Sequence, residues 1–293
     1  MEKNIITEVL LPLSLAIIML GMGLTLIPDD FKRIIRYPKA VSIGLVNQLV
    51  LLPVIAFFIL SLFSLSAELA VGVMILAACP GGPTSNLISH LAKGDVALSV
   101  TLTAIATLVT MFTIPFIINF SIVWFMPAGE LITLPLAGTI LKLLVMAVVP
   151  VALGMLIKRF APSLAEKADK PAKIMSSIFL VLIIAGAILK ERAHLVEYFA
   201  LAGPVTLALN VSTLMVGYIS AKLFKINQRQ SISVSIESGI QNGTLAITIA
   251  VSMLNNVAMS IPPAIYSLVM FFTSGIVIAL ALKFREFTKP VTT

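Results

Sequence analysis

Glu237 is the one acidic residue deep within a long apolar stretch of this 293-residue chain. A carboxylate in hydrocarbon costs at least about 2.5 kcal/mol, so it persists there only if protonated, paired or bound to a cation. The residues around it carry oxygen: the segment reads Glu237-Ser238-Gly239-Ile240-Gln241-Asn242-Gly243-Thr244. Gln241 lies four positions on and shares the face of Glu237 if the helix runs that far. In another apolar stretch Ser99, Thr103, Thr107 and Thr110 step by 4, 4 and 3, which draws one hydroxyl stripe along a helix. A hard cation takes carboxylate, hydroxyl, amide and carbonyl oxygens, and Na⁺ suits such a set. The stripe also has a purely structural reading, because buried hydroxyls bond neighbouring helices or the carbonyl one turn back. Gln48, an isolated amide in an apolar stretch, admits the same two readings.

Two interruptions position these groups. Cys79-Pro80-Gly81-Gly82-Pro83-Thr84-Ser85-Asn86 places two prolines and two glycines in four residues, which no α-helix continues through. Pro83 suits the first position of a new half-helix. The second interruption is the segment around Gly239. Backbone groups freed at membrane depth must be satisfied by protein, water or ligand. If the half-helix N-termini after Gly82 and Gly239 face each other, their free N–H groups make a donor-rich spot for an organic carboxylate, with Asn86 and Asn242 adding side-chain donors. Paired broken helices at matching places in two halves point to a transporter's midplane site, although Gly and Pro also kink ordinary membrane helices.

Composition identifies the solvent around these segments. The chain is 59% apolar and 11% charged, with mean hydropathy +1.09, whereas soluble domains carry about 25% charged residues. This excludes an ordinary soluble enzyme and a disordered chain. A bilayer core of about 30 Å needs about 20 helical residues. The pattern predicts an all-α polytopic membrane protein with nine spans, near 6–27, 39–63, 67–92, 95–125, 133–158, 171–190, 196–224, 229–256 and 259–284. The first is read as a retained span rather than a signal peptide, since it lacks a small-residue cleavage site and ends on charges. The stretch 158–173 is read as a polar loop. Of the 20 Lys and Arg, 16 fall on one side of this layout and 3 on the other, with Lys142 within a span. That asymmetry predicts a multi-pass cell-membrane protein with its N-terminus outside and C-terminus cytoplasmic.

The net charge of +7 then reflects basic helix ends, and no nucleic-acid partner is expected. The single Cys79 and the two histidines, His90 and His194, provide neither a zinc site nor a nucleophile–base pair, so no enzyme is expected. Both histidines are read as solvated at span ends, and Lys142 as snorkelling or paired. The breaks lie in spans three and eight, five apart, so spans 1–4 and 6–9 form an inverted pair with span 5 left over.

Ala78-Cys79-Pro80-Gly81-Gly82 with Ser85-Asn86, Gly94-Asp95-Val96-Ala97-Leu98-Ser99, Glu237-Ser238-Gly239-Ile240-Gln241-Asn242, and Gly21-Met22-Gly23-Leu24-Thr25-Leu26 leading to Asp30-Phe31 resemble the bile acid:sodium symporter family through nearly the whole chain. The resemblance implies two crossed discontinuous helices (spans 3 and 8), a core domain (39–125 and 196–284), a panel domain (6–27, 133–158 and 171–190) and alternating access. It places a first sodium site on Ser85, Asn86, Ser99, Thr103 and Glu237. A second falls on Gln48, Glu237, Gln241 and the carbonyls of Ser238 and Ile240. Thr84, Asn86, Asn242 and Gly82 fall beside the substrate. The expected activity is Na⁺-coupled uptake of an organic anion, such as a bile acid or small carboxylate, with Na⁺ as coupling ion and no other cofactor. The alternative is a sodium/proton antiporter on the same plan, although no second deep carboxylate is present. Pro83, Thr84 and Met270 depart from the family pattern near the expected substrate pocket.

Overall fold

The computed structural model describes residues 11–127, 134–190 and 195–287. The expected starts of spans one and five (6–10 and 133), Lys3, Arg192, His194 and Lys289 lie outside the described residues. In chain order the helices are α1 (Leu11–Thr25), α2 (Pro28–Arg36), α3 (Pro38–Val46), α4 (Leu52–Leu62), α5 (Ala67–Ala78), α6 (Pro83–Leu91) and α7 (Val96–Phe125). There follow α8 (Leu136–Leu143), α9 (Val149–Phe160), α10 (Pro162–Lys190), α11 (Leu195–Leu223), α12 (Gln228–Gly239), α13 (Gly243–Thr248) and α14 (Ile261–Phe287). No β-sheet forms among the described residues. Their one isolated β-bridge is antiparallel and joins Gly81 to Gln241.

Among the described residues, five helices are long and apolar enough to cross a membrane: Pro38–Leu62, Val96–Phe125, Leu136–Phe160, Val196–Leu223 and Ala258–Lys283. A sixth is counted when α1 and α2, bent by 67°, are taken as one span. Three of the nine expected spans are not among these: 171–190 lies within α10, and 67–92 and 229–256 are each broken into shorter helices. The halves of the broken two are α5 and α6, of 12 and 9 residues, and α12 and α13, of 12 and 6 residues.

Prolines account for two further irregularities. Between α3 and α4, and between α8 and α9, the backbone widens into π-helical turns, Asn47–Leu51 and Leu144–Val148. Pro53 and Pro150 follow each turn by two residues. A proline ring pushes on the carbonyl four residues back and offers no N–H, and the wider turn relieves the clash. The first of these turns carries Gln48.

Two segments expected as connections are helical. α2 starts at Pro28, places Asp29 and Asp30 in its first turn and Arg33 and Arg36 in its last, and so complements its own dipole. The Asp30 carboxylate also accepts from the Ile27 N–H at 2.9 Å. α10 starts at Pro162, nine residues before the expected beginning of span six, and continues through Pro171. The stretch read as a polar loop is therefore largely helix, with Glu166 on its first turns 3.7 Å from Lys158 of α9. Proline at a first helical position is preorganised for that role, and polar composition does not prevent a helix whose outer face meets solvent.

α1 packs along α9 and α10, α5 along α7, and α11 along both α12 and α14. α1 and α9 touch backbone to backbone: a Cβ on Gly23 would run into the Val151 carbonyl, and one on Gly154 into the Leu20 carbonyl. Small residues permit such close approach between helices. α12 is rich in serine yet buried from Gln230 to Gly239. It tolerates burial because its hydroxyls have acceptors: Ser233 donates to the Asp95 carbonyl at 2.9 Å, Ser235 to Leu214 at 2.7 Å and Ser238 to Val234 at 2.7 Å.

Candidate functional site

The two helix breaks meet. Asn242 N–H donates to the Pro80 carbonyl at 2.9 Å beside the Gly81–Gln241 bridge, so each unwound segment satisfies part of the other's backbone. The contact brings α12 against the beginnings of α6 and α7, and Glu237 is fully buried there.

Glu237 Oε1 accepts from Ser85 Oγ at 2.5 Å and from Ser99 Oγ, and Oε2 accepts from Thr103 Oγ1 at 2.9 Å. Ser85 Oγ is also 2.8 Å from the Gly82 carbonyl, and Ser99 Oγ is 2.9 Å from Asn86 Oδ1. Each hydroxyl has a single proton, so neither serine can serve both of its acceptors. The cluster has more lone pairs than protons to share among them. Such a set is completed by a cation that accepts oxygen ligands. The hydroxyl stripe divides between its two readings: Ser99 and Thr103 reach Glu237, whereas Thr107 donates to the Thr103 carbonyl at 2.7 Å and Thr110 to Thr107 at 3.2 Å.

On the other side of Glu237 lie Gln48 and Gln241, each 1% exposed. Gln48 Nε2 donates to the Glu237 carbonyl at 3.4 Å, and Gln241 Nε2 to Ser238 at 2.9 Å. Their amide oxygens are buried with no hydrogen-bond partner among the described residues. An unsatisfied buried acceptor costs about 1–3 kcal/mol, and a cation removes that cost. Gly81 makes the arrangement sterically feasible. A Cβ there would lie 2.8 Å from both Gln48 Nε2 and Glu237 Oε2.

Beside the breaks opens a cavity of about 600 Å³. Gly82, Thr84, Asn86 and Asn242 line it, and so do Pro83 and Met270. Asn242 Oδ1 caps α13 by accepting from Leu245 N at 3.0 Å, and its Nδ2 is a buried donor with no partner among the described residues. His90, read as a solvated helix-end residue, is exposed but faces this cavity. Lys142 is exposed on α8.

A sequence profile described as the Sodium Bile acid symporter family matches residues 12–198. The chain belongs to the sodium bile acid symporter family. A Bacillus subtilis protein named as an uncharacterized sodium-dependent transporter, YocS, is 33% identical over 253 residues, covering 86% of this chain and 77% of that protein. A rice protein named as the probable chloroplastic sodium/metabolite cotransporter BASS2 is 30% identical, covering 87% of this chain and 60% of its own length. The human ileal sodium/bile acid cotransporter is 28% identical, covering 84% and 70%. Membership makes this chain a member of a sodium-dependent transporter family rather than an enzyme family, and its apolar helices make it a membrane protein.

Within this symporter-family chain, three residues outside the sequence-derived set support the second break. The Gly239 carbonyl, released where α12 ends, accepts from Asn210 Nδ2 at 2.8 Å and from the Tyr266 hydroxyl at 2.8 Å. Thr273 fixes Asn210 by donating to its Oδ1 at 2.6 Å. Asn210 carried a readable signal, being a lone amide mid-span like Gln48. Nothing local marks Tyr266 or Thr273.

Proposed function

We propose that this chain is a secondary active transporter that couples inward Na⁺ movement to uptake of an organic anion by alternating access. The reading takes the chain as nine spans, N-terminus outside and C-terminus cytoplasmic. Spans three and eight cross at their breaks, and a core (39–125 and 196–284) moves against a panel (6–27, 133–158 and 171–190). Close packing of α1 with α9 and α10 supports the panel grouping.

The observation that carries the proposal is Glu237 flanked on one side by proton-poor hydroxyls and on the other by two amide oxygens without partners. In this reading one Na⁺ is held by Ser85, Asn86, Ser99, Thr103 and Glu237. A second is held by Gln48, Glu237, Gln241 and the carbonyls of Ser238 and Ile240. One carboxylate shared by two cations ties their binding together. The unpartnered Asn242 Nδ2, with Thr84, Asn86 and Gly82 on the same cavity wall, supplies polar groups for a carboxylate. The remaining lining takes the apolar body. About 600 Å³ is within the usual 300–1,000 Å³ of small-molecule sites. Two Na⁺ moving inward with a monovalent anion carry one net charge, worth roughly 2.3 kcal/mol per 100 mV in addition to the sodium gradient.

The test is a thermal-shift screen of carboxylates on purified protein, each in NaCl and in KCl. The expected result is a carboxylate, from small hydroxy and keto acids to bile acids, that raises Tm in sodium only. Equal shifts in both salts for every binding carboxylate overturn the coupling.

A further inference from the structure

A second cavity, of about 380 Å³, lies away from the breaks, between the α2–α3 junction and the α11–α12 turn. Arg36, Lys39 and Lys225 line it, and none of the three is paired with a carboxylate among the described residues. Elsewhere on this side cations do have acids: Lys32 is 2.6 Å from Asp29 and Arg33 is 4.0 Å from Asp95. Three unpaired cations around one hollow repel one another unless an anion joins them.

The walls add neutral donors. Gln230 lines the same cavity with 8% of its surface exposed, and its carboxamide makes no hydrogen bond with any described residue. α3 and α12, helices of 9 and 12 residues, both begin at the cavity and present their positive ends to it. Exposed aliphatic side chains lie close by along the chain: Ile35, next to Arg36 on α2, is 85% exposed, and Leu223, two residues before Lys225 at the end of α11, is 74% exposed. A cationic hollow beside exposed aliphatic side chains matches a molecule with an anionic head and hydrocarbon tails.

We infer that this cavity binds the phosphate headgroup of an anionic phospholipid in the leaflet on the basic side of the protein. Arg36, Lys39 and Lys225 neutralise the phosphate, Gln230 donates to a phosphate or glycerol oxygen, and the acyl chains run along Ile35 and Leu223. Basic pockets at helix ends on the cytoplasmic side recognise such headgroups through the same chemistry. The side assignment rests on the proposed topology. The binding itself requires neither sodium nor organic anion.

The test compares detergent-purified protein with added phosphatidylglycerol, phosphatidylcholine or inorganic phosphate, read by Tm and by native mass spectrometry of retained lipid. Phosphatidylglycerol is expected to raise Tm and to be retained over phosphatidylcholine. Lys39→Gln and Lys225→Gly are each expected to weaken its apparent affinity about fivefold, the equivalent of about 1 kcal/mol per basic residue. Lys225 has φ 57°, in the left-handed region, so Lys225→Gly relaxes the backbone and is expected to keep or raise the lipid-free Tm. Loss of lipid selectivity without loss of fold in that variant separates a binding role from a structural one. Equal retention of both lipids, or selectivity undiminished in a variant that combines Lys39→Gln with Lys225→Gly, overturns the inference. Stabilisation by inorganic phosphate that matches and displaces phosphatidylglycerol overturns the lipid assignment in favour of a soluble phosphate.

Discussion

The backbone N–H of Asn242 donates to the Pro80 carbonyl at 2.9 Å, so the unwound segment of one broken helix completes the hydrogen bonding of the other. Neither break could sit in an apolar interior alone, because its freed groups would each cost several kcal/mol. Together they hold Glu237 between α6, α7 and the Gln48 turn, and each proposed contact of that carboxylate is open to experiment.

Glu237→Gln keeps the side-chain volume and removes the charge. The variant is expected to fold, with Tm in potassium equal to or above that of the parent, since no buried charge remains to be desolvated. Its Tm increment on adding sodium should disappear, because that increment follows from sodium binding to the native state. Retention of the full sodium increment refutes the assignment.

Thr103→Val and Thr107→Val divide the hydroxyl stripe. Thr103 Oγ1 reaches the carboxylate, and its loss should weaken apparent sodium affinity by about 10- to 100-fold, as hydrogen bonds to charged groups contribute about 1.5–3 kcal/mol. Thr107 only bonds back to the Thr103 carbonyl, so Thr107→Val should leave sodium affinity within about twofold, the scale of a minor local effect. Sodium titrations of Tm on both variants check the contrast.

Gly81→Ala places a methyl 2.8 Å from Gln48 Nε2 and Glu237 Oε2. Overpacking of this kind costs about 1–3 kcal/mol, and displacement of Gln48 should reduce the sodium response as well. Gly138→Ala is the control. The nearest atom to its Cβ is Pro135 Cγ at 3.8 Å, and the gain in helix propensity should make it neutral or slightly stabilising. Tm in potassium and in sodium distinguishes the two.

Asn210→Ala and Tyr266→Phe remove the two donors to the Gly239 carbonyl. Either alone leaves one donor and should cost about 1 kcal/mol for the lost bond, before any cavity effect of the alanine. The double variant strands a buried carbonyl and should exceed the sum by about 1 kcal/mol, within the range of coupled neighbours. A double-mutant cycle on denaturation free energies measures the excess, and strict additivity contradicts a shared role.

The sequence alone determined where the backbone breaks and where the charge lies. Two prolines and two glycines at 80–83 lose helical hydrogen bonds whatever surrounds them, and Glu237 is an ion in an apolar run by composition. The partition of the hydroxyl stripe, the donors from Asn210 and Tyr266, the crowding that requires Gly81, and the helical course of 28–36 and 162–173 were decided by tertiary structure. Spacing reports which residues share a face of their own helix. It carries no information on which oxygen, 134 positions away in the pairing of Thr103 with Glu237, will be brought within reach, because that depends on how whole helices pack.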